Sequence, residues 1–353
     1  MVVRKISYYR VIVSLCLFMF LFGDENSAVS FDKELPENNI VTIQPDSLRI
    51  LHNPLTGWVL YASMGVDAAD FWAQYDHMYI PELGHNVSVT DYAHTLYIRA
   101  SWTDFNPQED VYGWKIDSNL RAYIEGAYQR NMRLAFRVVV DSRDKRTEFT
   151  PQFVKDAGAK GFMNKSKWSP YSDDPVFQKY YNKFVKALAK DFNDPSKVEF
   201  IDGFGLGKWG EYHTMIYSTG DDTPKKAVFD WVTDIYSQAF DKVPVVINYH
   251  RWIGAGKDWV DDEHFAADSE EMLEEAIKKG YSLRHDAFGM TTYYGSWERR
   301  FAEKYRNICP IIMEGGWIVK SHNYWQDPRG YRKDSHEDVR RGEFDDSKEA
   351  HVN

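Results

Sequence analysis

Cysteine is scarce in this chain, and its scarcity limits what can hold the fold together. Only Cys16 and Cys309 occur in 353 residues. Cys16 lies inside an apolar N-terminal run, so removal of that run would leave Cys309 with no partner for an intramolecular disulfide. The chain must therefore fold by burying a core, and its length and 43% hydrophobic content are sufficient for one large α/β domain.

The chain also has no excess of positive charge and no recognisable nucleotide-binding motif. The formal net charge is −10, which argues against nucleic-acid binding because phosphate recognition needs a basic surface. No Gly-x-Gly-x-x-Gly turn follows the first predicted strand and no P-loop occurs, which disfavours a nucleotide-binding fold. The histidines show no His-x-His or His-Glu-x-x-His spacing. We therefore predict no metal and no cofactor, and a metal-dependent barrel hydrolase is a minor alternative.

The chain has one long apolar run near its N-terminus. Basic residues between Arg4 and Arg10 precede the run, which extends from Val11 to Phe22 and is short for a membrane span. Ala28-Val29-Ser30 supplies the small residues of a cleavage site. Residues 1–30 are therefore predicted to be a signal peptide, with an uncleaved anchor as the alternative. The mature protein would be secreted or periplasmic in a bacterial envelope, without stable membrane insertion.

Between residues 31 and 320 the chain alternates strand-like and helix-like segments. Amphipathic helices are expected at 117–130, 174–192, 223–240 and 269–279. Strands are expected at Thr56–Ser63, Thr95–Trp102, Arg133–Val140, Glu199–Phe204, Val243–His250, Ser282–Met290 and Ile308–Glu314. This alternation predicts a parallel α/β architecture, and polar residues at the strand ends are typical of a (β/α)8 TIM barrel.

The C-terminal segment, residues 321–353, is strongly polar. It has no alternating or continuous apolar run that could form an eighth strand. From Lys320 onward we expect an irregular loop with at most a short helix. The sequence thus predicts a barrel that is incomplete or truncated at its C-terminus, with an unpaired edge beside Ile311–Met313 and marginal stability.

Two glutamates follow short apolar runs, with glycine and tryptophan beside each. Glu211 ends Lys208-Trp209-Gly210-Glu211, and Glu314 precedes Gly315-Gly316-Trp317. A carboxylate at the end of a buried strand costs free energy unless it is paired or used. Two of them suggest the carboxylate pair of a glycoside hydrolase, and the alternative is a pair of structural glutamates. The 16% aromatic content, with 12 Trp and 23 Tyr, would suit apolar faces of sugars.

Four segments carry a resemblance to a known group. Residues 53–58, 97–102, 104–114 and 207–213 together resemble the β-galactosidase-like glycosidase barrels of clan A glycoside hydrolases, found in polysaccharide-degrading bacteria. The resemblance covers roughly residues 45 to 320. It implies a retaining hydrolase with Glu211 as acid/base after strand four and Glu314 as nucleophile at the end of strand seven. Clan members usually carry Asn just before the acid/base, where this chain has Gly210.

Further strand-end residues are candidates for binding a poly- or oligosaccharide substrate. Arg99 is expected to keep Glu314 ionised or to form a structural ion pair, and Trp209 to desolvate Glu211. Arg284 and Asp286 are expected to form a salt-bridged pair that lines the site, or else only to support the barrel. The full predicted substrate-binding set is Arg99, Trp102, Trp209, His250, Asp286, Tyr293 and Trp317, where Tyr293 follows from the resemblance. The alternative function is a non-catalytic carbohydrate-binding barrel.

Overall fold

The computed structural model describes most of the chain after residue 56. The described residues are 57–62, 64–143, 147–164, 166–257, 263–289, 293–315, 329–332 and 334–352. The predicted signal peptide and Trp317 lie outside these ranges. Within them, no helix is both long and apolar enough to cross a membrane.

Seven parallel strands form one curled sheet, and their order in the sheet is their order along the chain. The strands are β1 (Trp58–Tyr61), β2 (Ala93–Ser101), β3 (Arg133–Val139), β4 (Val198–Asp202), β5 (Val245–Asn248), β6 (Ser282–Phe288) and β7 (Ile311–Gly315). One long helix follows each strand: α1 (Ala68–Asp76), α2 (Ser118–Gln129), α3 (Pro175–Phe192), α4 (Lys225–Ala239), α5 (Glu263–Lys278), α6 (Ser296–Tyr305) and α7 (His336–Ala350). The architecture is that of a TIM barrel with seven β/α units, as the sequence predicts.

The fold also contains shorter secondary-structure elements. Two antiparallel hairpins and several short helices lie in the connections. The hairpin strands are Met78–Ile80 with His85–Val87, and Gly161–Asn164 with Lys167–Pro170. The short helices are Val89–Asp91, Trp102–Phe105, Gly113–Ile116, Gln152–Asp156 and Lys208–Gly210.

Helix α3 shows how local sequence sets these elements. Asp174 caps its N-terminus by accepting hydrogen bonds from the amides of Val176 and Phe177, and Pro175 occupies the first turn, where it needs no donor. Phe177, Tyr181, Phe184 and Leu188 then recur at helical spacing and are all buried against the outer face of the sheet. The predicted helix over 174–192 is confirmed.

The inside of the barrel has its own apolar layer. Tyr97, Ala135, Phe200 and Val246 are buried there, and Ile312 packs against them. Side chains alternate between the two faces of a strand, so a residue two positions further along also points inward, one layer closer to the carboxyl ends. That position is occupied by Arg99, Arg137, Asp202, Asn248 and Glu314. The sheet therefore places a polar layer directly above an apolar one.

The C-terminal segment departs from its prediction, because α7 is a regular helix of 15 residues. Ser335 caps it by accepting from the Asp338 amide. Its buried face is small and acidic: Val339, Gly342, Glu343, Asp346 and Ala350. Gly289 at the end of β6 has φ +77°, and a Cβ there would lie 2.8 Å from the Val339 carbonyl, so this glycine permits the close approach of α7. The buried face of α7 makes mainly polar contacts, so the sequence lacks the apolar residues at helical spacing that normally predict a helix.

Asp346 is the residue that ties α7 to the barrel. It is fully buried, accepts from the Gly289 amide at 2.8 Å, and forms ion pairs with Arg299 and Arg329 at 2.5 and 3.0 Å. We expect Asp346→Ala to lower the free energy of unfolding by about 2–4 kcal/mol, because it removes the buried carboxylate that the Gly289 amide and both guanidiniums contact. Glu349→Gln, which affects an exposed pair with Arg299, should cost at most about 1 kcal/mol. Equal urea midpoints for the two variants would contradict this role.

Both outer strands of the sheet keep one unpaired edge in the described part of the chain. There, β1 pairs only with β2 and β7 only with β6. A cleft of about 330 Å³ lies between the two edges and reaches Tyr97, Phe200 and Ile312 of the inner layer. The prediction of seven strands with an unpaired edge beside Ile311–Met313 is confirmed for the described residues, and the marginal stability stays a prediction.

Candidate active site

A cavity of about 550 Å³ opens at the carboxyl ends of the strands. Seven of the nine residues predicted for catalysis or binding line it: Arg99, Trp209, Glu211, His250, Asp286, Tyr293 and Glu314. The structure adds six that the sequence did not single out for the site: His213, Asn248, Trp252, His285, Ala287 and Gly315. The fold therefore brings together residues that are more than 200 positions apart in the chain.

The loop that carries Glu211 has an unusual backbone. Trp209, Tyr212 and Thr214 have φ values of 59°, 60° and 51°, in the left-handed region that side chains other than glycine seldom adopt. Gly210, directly before Glu211, has φ +74°, and a Cβ there would lie 3.3 Å from Val139 on β3. Such strain concentrates at functional sites, where the surrounding structure holds it in place. The same geometry explains why glycine suits the position at which clan A enzymes usually have asparagine.

Both oxygens of the Glu211 carboxyl have protein partners. Arg137 Nη1 donates to Oε1 at 3.0 Å, and His213 Nε2 lies 3.3 Å from Oε2. The side chain is almost fully buried. Burial, reinforced by the charge of Asp286, raises the pKa of Glu211 to about 7. Glu211 is thus a carboxylic acid over the acidic range and up to neutrality.

Glu314 stands at the end of β7 in a different environment. Arg284 Nη2 forms an ion pair with its Oε2, and Arg137 Nη2 lies 3.3 Å from the same oxygen. Its side chain is 32% exposed towards the cavity. Burial raises its pKa, while the guanidinium of Arg137 opposes that rise. Glu314 therefore contacts two guanidiniums, whereas Glu211 contacts one guanidinium and His213.

Arg137 on β3 connects three carboxyl groups of the site, and the sequence analysis missed it. Its side chain is fully buried, and Nε, Nη1 and Nη2 contact Asp202, Glu211 and Glu314 at 3.0, 3.0 and 3.3 Å. A charged residue inside the apolar run Arg133–Val140 must be paired when that run becomes a buried strand. The charge of Arg137 within this apolar run is the sequence signal that could have identified it as a site residue. One guanidinium consequently fixes the distance between the two glutamates.

Asp202 is a further buried carboxyl in the same polar layer. Asp202 at the end of β4 accepts from Tyr97 and from Arg137 Nε, and Arg284 Nε lies 3.6 Å from it. The sequence analysis expected Arg284 to pair with Asp286. That expectation is wrong, because Arg284 points towards the β4 and β7 sides and contacts Asp202 and Glu314. Two residues further along β6, Asp286 lies one layer higher and faces the cavity.

Arg99 has partners other than the expected one. Its Nη2 donates to the Trp209 carbonyl at 2.9 Å, and its Nη1 donates to the Tyr61 hydroxyl at 3.2 Å. It also acts to lower the pKa of Glu314, but Arg137 has the larger effect. Arg99 therefore anchors the Glu211 loop to β2, while Arg137 and Arg284 hold Glu314.

His250 and Asp286 also acquire defined roles from their contacts. His250 Nε2 donates to the Glu211 carbonyl at 3.0 Å, and burial lowers the pKa of His250 to about 3, so this imidazole is neutral. Asn248 Nδ2 donates to Asp286 at 3.0 Å. Burial acts to raise the pKa of Asp286, but His285 and a hydrogen bond with Glu211 outweigh it and hold the pKa at about 2. His250 thus holds the backbone of Glu211, and Asp286 faces its side chain.

Trp102 does not belong to the site, which corrects the prediction that it binds substrate. Its indole has no exposed surface and packs edge-on against Phe153, Phe177 and Tyr181 on the outer side of the sheet. Side chains alternate along β2, and Trp102 follows the inward Ser101, so it points towards the helices. A tryptophan at a strand end signals a sugar platform only when its position falls on the inner face.

In the described ranges, no group of three or more His, Cys, Asp or Glu side chains could hold a metal ion. His213, His250 and His285 line the same cavity although their sequence spacing gave no sign of it.

Comparison with known proteins gives matches in overall fold only. No family model matches the chain, and no curated protein matches it. Among solved structures, an exo-β-1,4-mannosidase from Opitutaceae bacterium strain TAV5 matches with 14% identity and a TM-score of 0.46, over 81% of this chain and 47% of that chain. A GH10 structure from Paenibacillus barcinonensis matches with 13% identity and a TM-score of 0.46, over 78% and 73%. Xylanase B from Clostridium stercorarium F9 matches with 13% identity and a TM-score of 0.40, over 72% and 69%. The chain spans about half the length of the mannosidase.

Proposed function

We propose that this protein is a retaining glycoside hydrolase that acts on a poly- or oligosaccharide. The observation that carries the proposal is that Glu211 and Glu314 both contact the guanidinium of one arginine. Arg137 Nη1 and Nη2 contact them at 3.0 and 3.3 Å inside a single cavity. Retaining enzymes need two carboxyl groups about 5–5.5 Å apart, one protonated and one ionised. The proposal assigns the acid role to Glu211, whose pKa is raised to about 7, and the carboxylate role to Glu314, which contacts two guanidiniums.

In the first step, the Glu314 carboxylate attacks the anomeric carbon of the sugar. A C–O bond forms between the sugar and Glu314 while the glycosidic C–O bond breaks. Glu211 gives its proton to the departing oxygen, so the leaving group departs as a neutral alcohol. Glu211 can do this at neutral pH because burial and Asp286 raise its pKa to about 7.

In the second step, water attacks the same anomeric carbon. Glu211, now a carboxylate, accepts a proton from that water, and the ester bond to Glu314 breaks. Glu314 leaves as a carboxylate, stabilised by the guanidiniums of Arg284 and Arg137. Two displacements at one carbon give a product with the configuration of the substrate.

Finer assignments rest on the sequence. The closer likeness to β-galactosidase-like barrels, secretion or periplasmic export by the segment 1–30, and a carbohydrate as the ligand are parts of the proposal. Tyr293 and Trp209 line the cavity and are partly exposed, so they are the proposed stacking surfaces for a sugar ring.

A carbohydrate-binding barrel without turnover is the second candidate. Gly210 favours it, because the amide that clan members place before the acid/base is missing there. A glycan array combined with a reducing-end assay separates the two functions. Binding without product would support the second candidate, and product release would exclude it.

The pH dependence of hydrolysis follows from the two glutamates. We expect kcat/KM to be bell-shaped and to fall above about pH 7, where the Glu211 acid form is lost. On the acidic side it should fall as Glu314 becomes protonated, at a pH above the usual range for glutamate because burial raises its pKa. Initial rates on an aryl glycoside in overlapping buffers measure this profile. A rate that keeps rising through pH 8 to 9 would contradict the assignment of Glu211.

The stereochemical outcome tests the retaining mechanism. Proton NMR of the first-formed sugar, recorded within minutes of adding enzyme to a substrate found in an aryl glycoside panel, should show the anomer of the substrate. Formation of the opposite anomer would show an inverting enzyme, in which water and not Glu314 is the nucleophile.

A further inference from the structure

Asp286 has a chemical environment that differs from those of the other buried carboxyls. Four carboxyl groups, Asp202, Glu211, Asp286 and Glu314, gather at the carboxyl ends of the strands. Arg137 contacts the first two and Glu314, and Arg284 contacts Glu314 and approaches Asp202. In the described part of the chain, no Arg or Lys lies within 4.0 Å of Asp286, although its side chain is only 18% exposed.

The neighbouring histidine does not supply the missing charge at neutral pH. His285 Nδ1 lies 3.7 Å from Asp286 Oδ1, beyond hydrogen-bonding distance. That nitrogen instead accepts a hydrogen bond from the Ala287 amide, and burial lowers the pKa of His285 to about 4. The imidazole is therefore neutral at pH 7.

One side-chain amide contacts both Asp286 and Glu211. Asn248 Nδ2 donates to Asp286 Oδ2 at 3.0 Å and lies 3.5 Å from the Glu211 carbonyl, so one amide aligns both residues. The Asp286 and Glu211 side chains line the same cavity. Burial raises the pKa of Glu211, and the negative charge of Asp286 raises it further. The other neighbours of the Glu211 carboxyl are Arg137 Nη1, which donates to Oε1 at 3.0 Å, and His213 Nε2, 3.3 Å from Oε2.

We propose that Asp286 is a positioning residue that keeps Glu211 in its acid form and drives its return to that form in each turnover. The inference rests on the proposed function, in which Glu211 is the acid/base. Once Glu211 has protonated the leaving group, two adjacent carboxylates repel each other. Their repulsion favours transfer of a proton from the incoming water back to Glu211.

Other charged and titratable groups also face Glu211 and influence its pKa together with Asp286. They come from five elements and the loop itself: Arg99, Arg137, His213, His250, Asp286 and Glu314. Arg137 and Arg99 favour the carboxylate form of Glu211. His250 contacts only its backbone. Asp286 is the neighbouring anion whose charge raises the pKa of Glu211, so its removal should have the opposite effect on Glu211 to removal of a guanidinium.

The experiment compares Asp286→Asn with wild-type protein by ¹³C NMR of glutamate labelled at the carboxyl carbon. The Glu211 signal is identified by its disappearance in Glu211→Gln. We expect its titration midpoint to fall by about one pH unit or more in Asp286→Asn, and the basic limb of the kcat/KM profile to shift equally. Asp222→Asn is the matched control, because Asp222 accepts from the Gly256 amide and does not line the cavity.

The NMR readout separates failure of this inference from failure of the proposed function. If no glycoside is hydrolysed but the midpoint falls, the effect of Asp286 on Glu211 stands and the hydrolase proposal does not. An unchanged midpoint in a folded Asp286→Asn protein would overturn the inference whatever the activity. Asp286→Ser is measured in the same way if the Asn variant does not fold, and an unchanged midpoint there has the same meaning.

Discussion

Replacing Glu314 with Gln is expected to reduce turnover by roughly 10⁴-fold or more, as removal of a covalent nucleophile does in other hydrolases. Gln keeps the shape of the side chain but cannot form the glycosyl ester. Glu211→Gln should lower the rate by about 10²- to 10⁴-fold, because it removes acid/base assistance alone. The loss for Glu211→Gln should shrink on substrates whose leaving group needs no protonation, such as dinitrophenyl glycosides.

Controls for this experiment come from the same chain. Glu303→Gln changes an exposed carboxyl on α6 and should leave the rate unaltered. Glu314→Ala opens space beside the anomeric carbon, so added azide should restore turnover and give a glycosyl azide of inverted configuration. Near wild-type rates in both Glu211→Gln and Glu314→Gln, with circular dichroism unchanged, would show that the two glutamates are structural.

Replacing Arg137 with Met is expected to lower the free energy of unfolding by about 3–5 kcal/mol at pH 8. The variant leaves three carboxyls, those of Asp202, Glu211 and Glu314, without the guanidinium that contacts each of them. Arg121→Met is the matched control, because Arg121 is half exposed and pairs with Glu125 one helical turn away. That change should cost at most about 0.5 kcal/mol. Urea unfolding of both variants measures the difference.

The loss in the Arg137→Met variant should depend on pH with a defined sign. Burial raises the pKa of Asp202 in the folded protein, and Arg137 opposes that rise. A group whose pKa is higher in the folded state destabilises the fold as the pH rises through that value. Removing Arg137 raises the folded pKa further, so the cost should be greater at pH 8 than at pH 5. An equal cost at both pH values would indicate lost packing and no lost ion pairs.

The seven strands and the placement of the two glutamates could be predicted from the sequence. β-branched and aromatic runs alternate with capped amphipathic helices, and a strand-end position fixes which layer a side chain occupies. That is why Glu211, Glu314, Asp286 and Arg99 were found from pattern alone. The pattern does not show whether a side chain at a strand end points into the barrel or towards the helices. For that reason Trp102 was wrongly assigned to the site.

Two features depended on contacts that the sequence does not show. Helix α7 buries Glu343 and Asp346 together with a glycine and an alanine, so hydropathy gave no helical period. Arg137 lies in a run that was interpreted only as a strand, and its partners follow it by 65, 74 and 177 residues. A charge inside an apolar strand predicts that a partner exists, but only the three-dimensional arrangement of the strands identifies it.

Covalent trapping tests the central claim most directly. The protein is incubated with 2,4-dinitrophenyl 2-deoxy-2-fluoro glycosides of gluco, galacto, manno and xylo configuration, then digested and sequenced by mass spectrometry. The account predicts that at least one reagent adds a single glycosyl group to Glu314, and that Glu314→Gln abolishes the adduct. An adduct on Glu211 or Asp286, or no adduct from reagents whose parent sugar the protein hydrolyses, would contradict it.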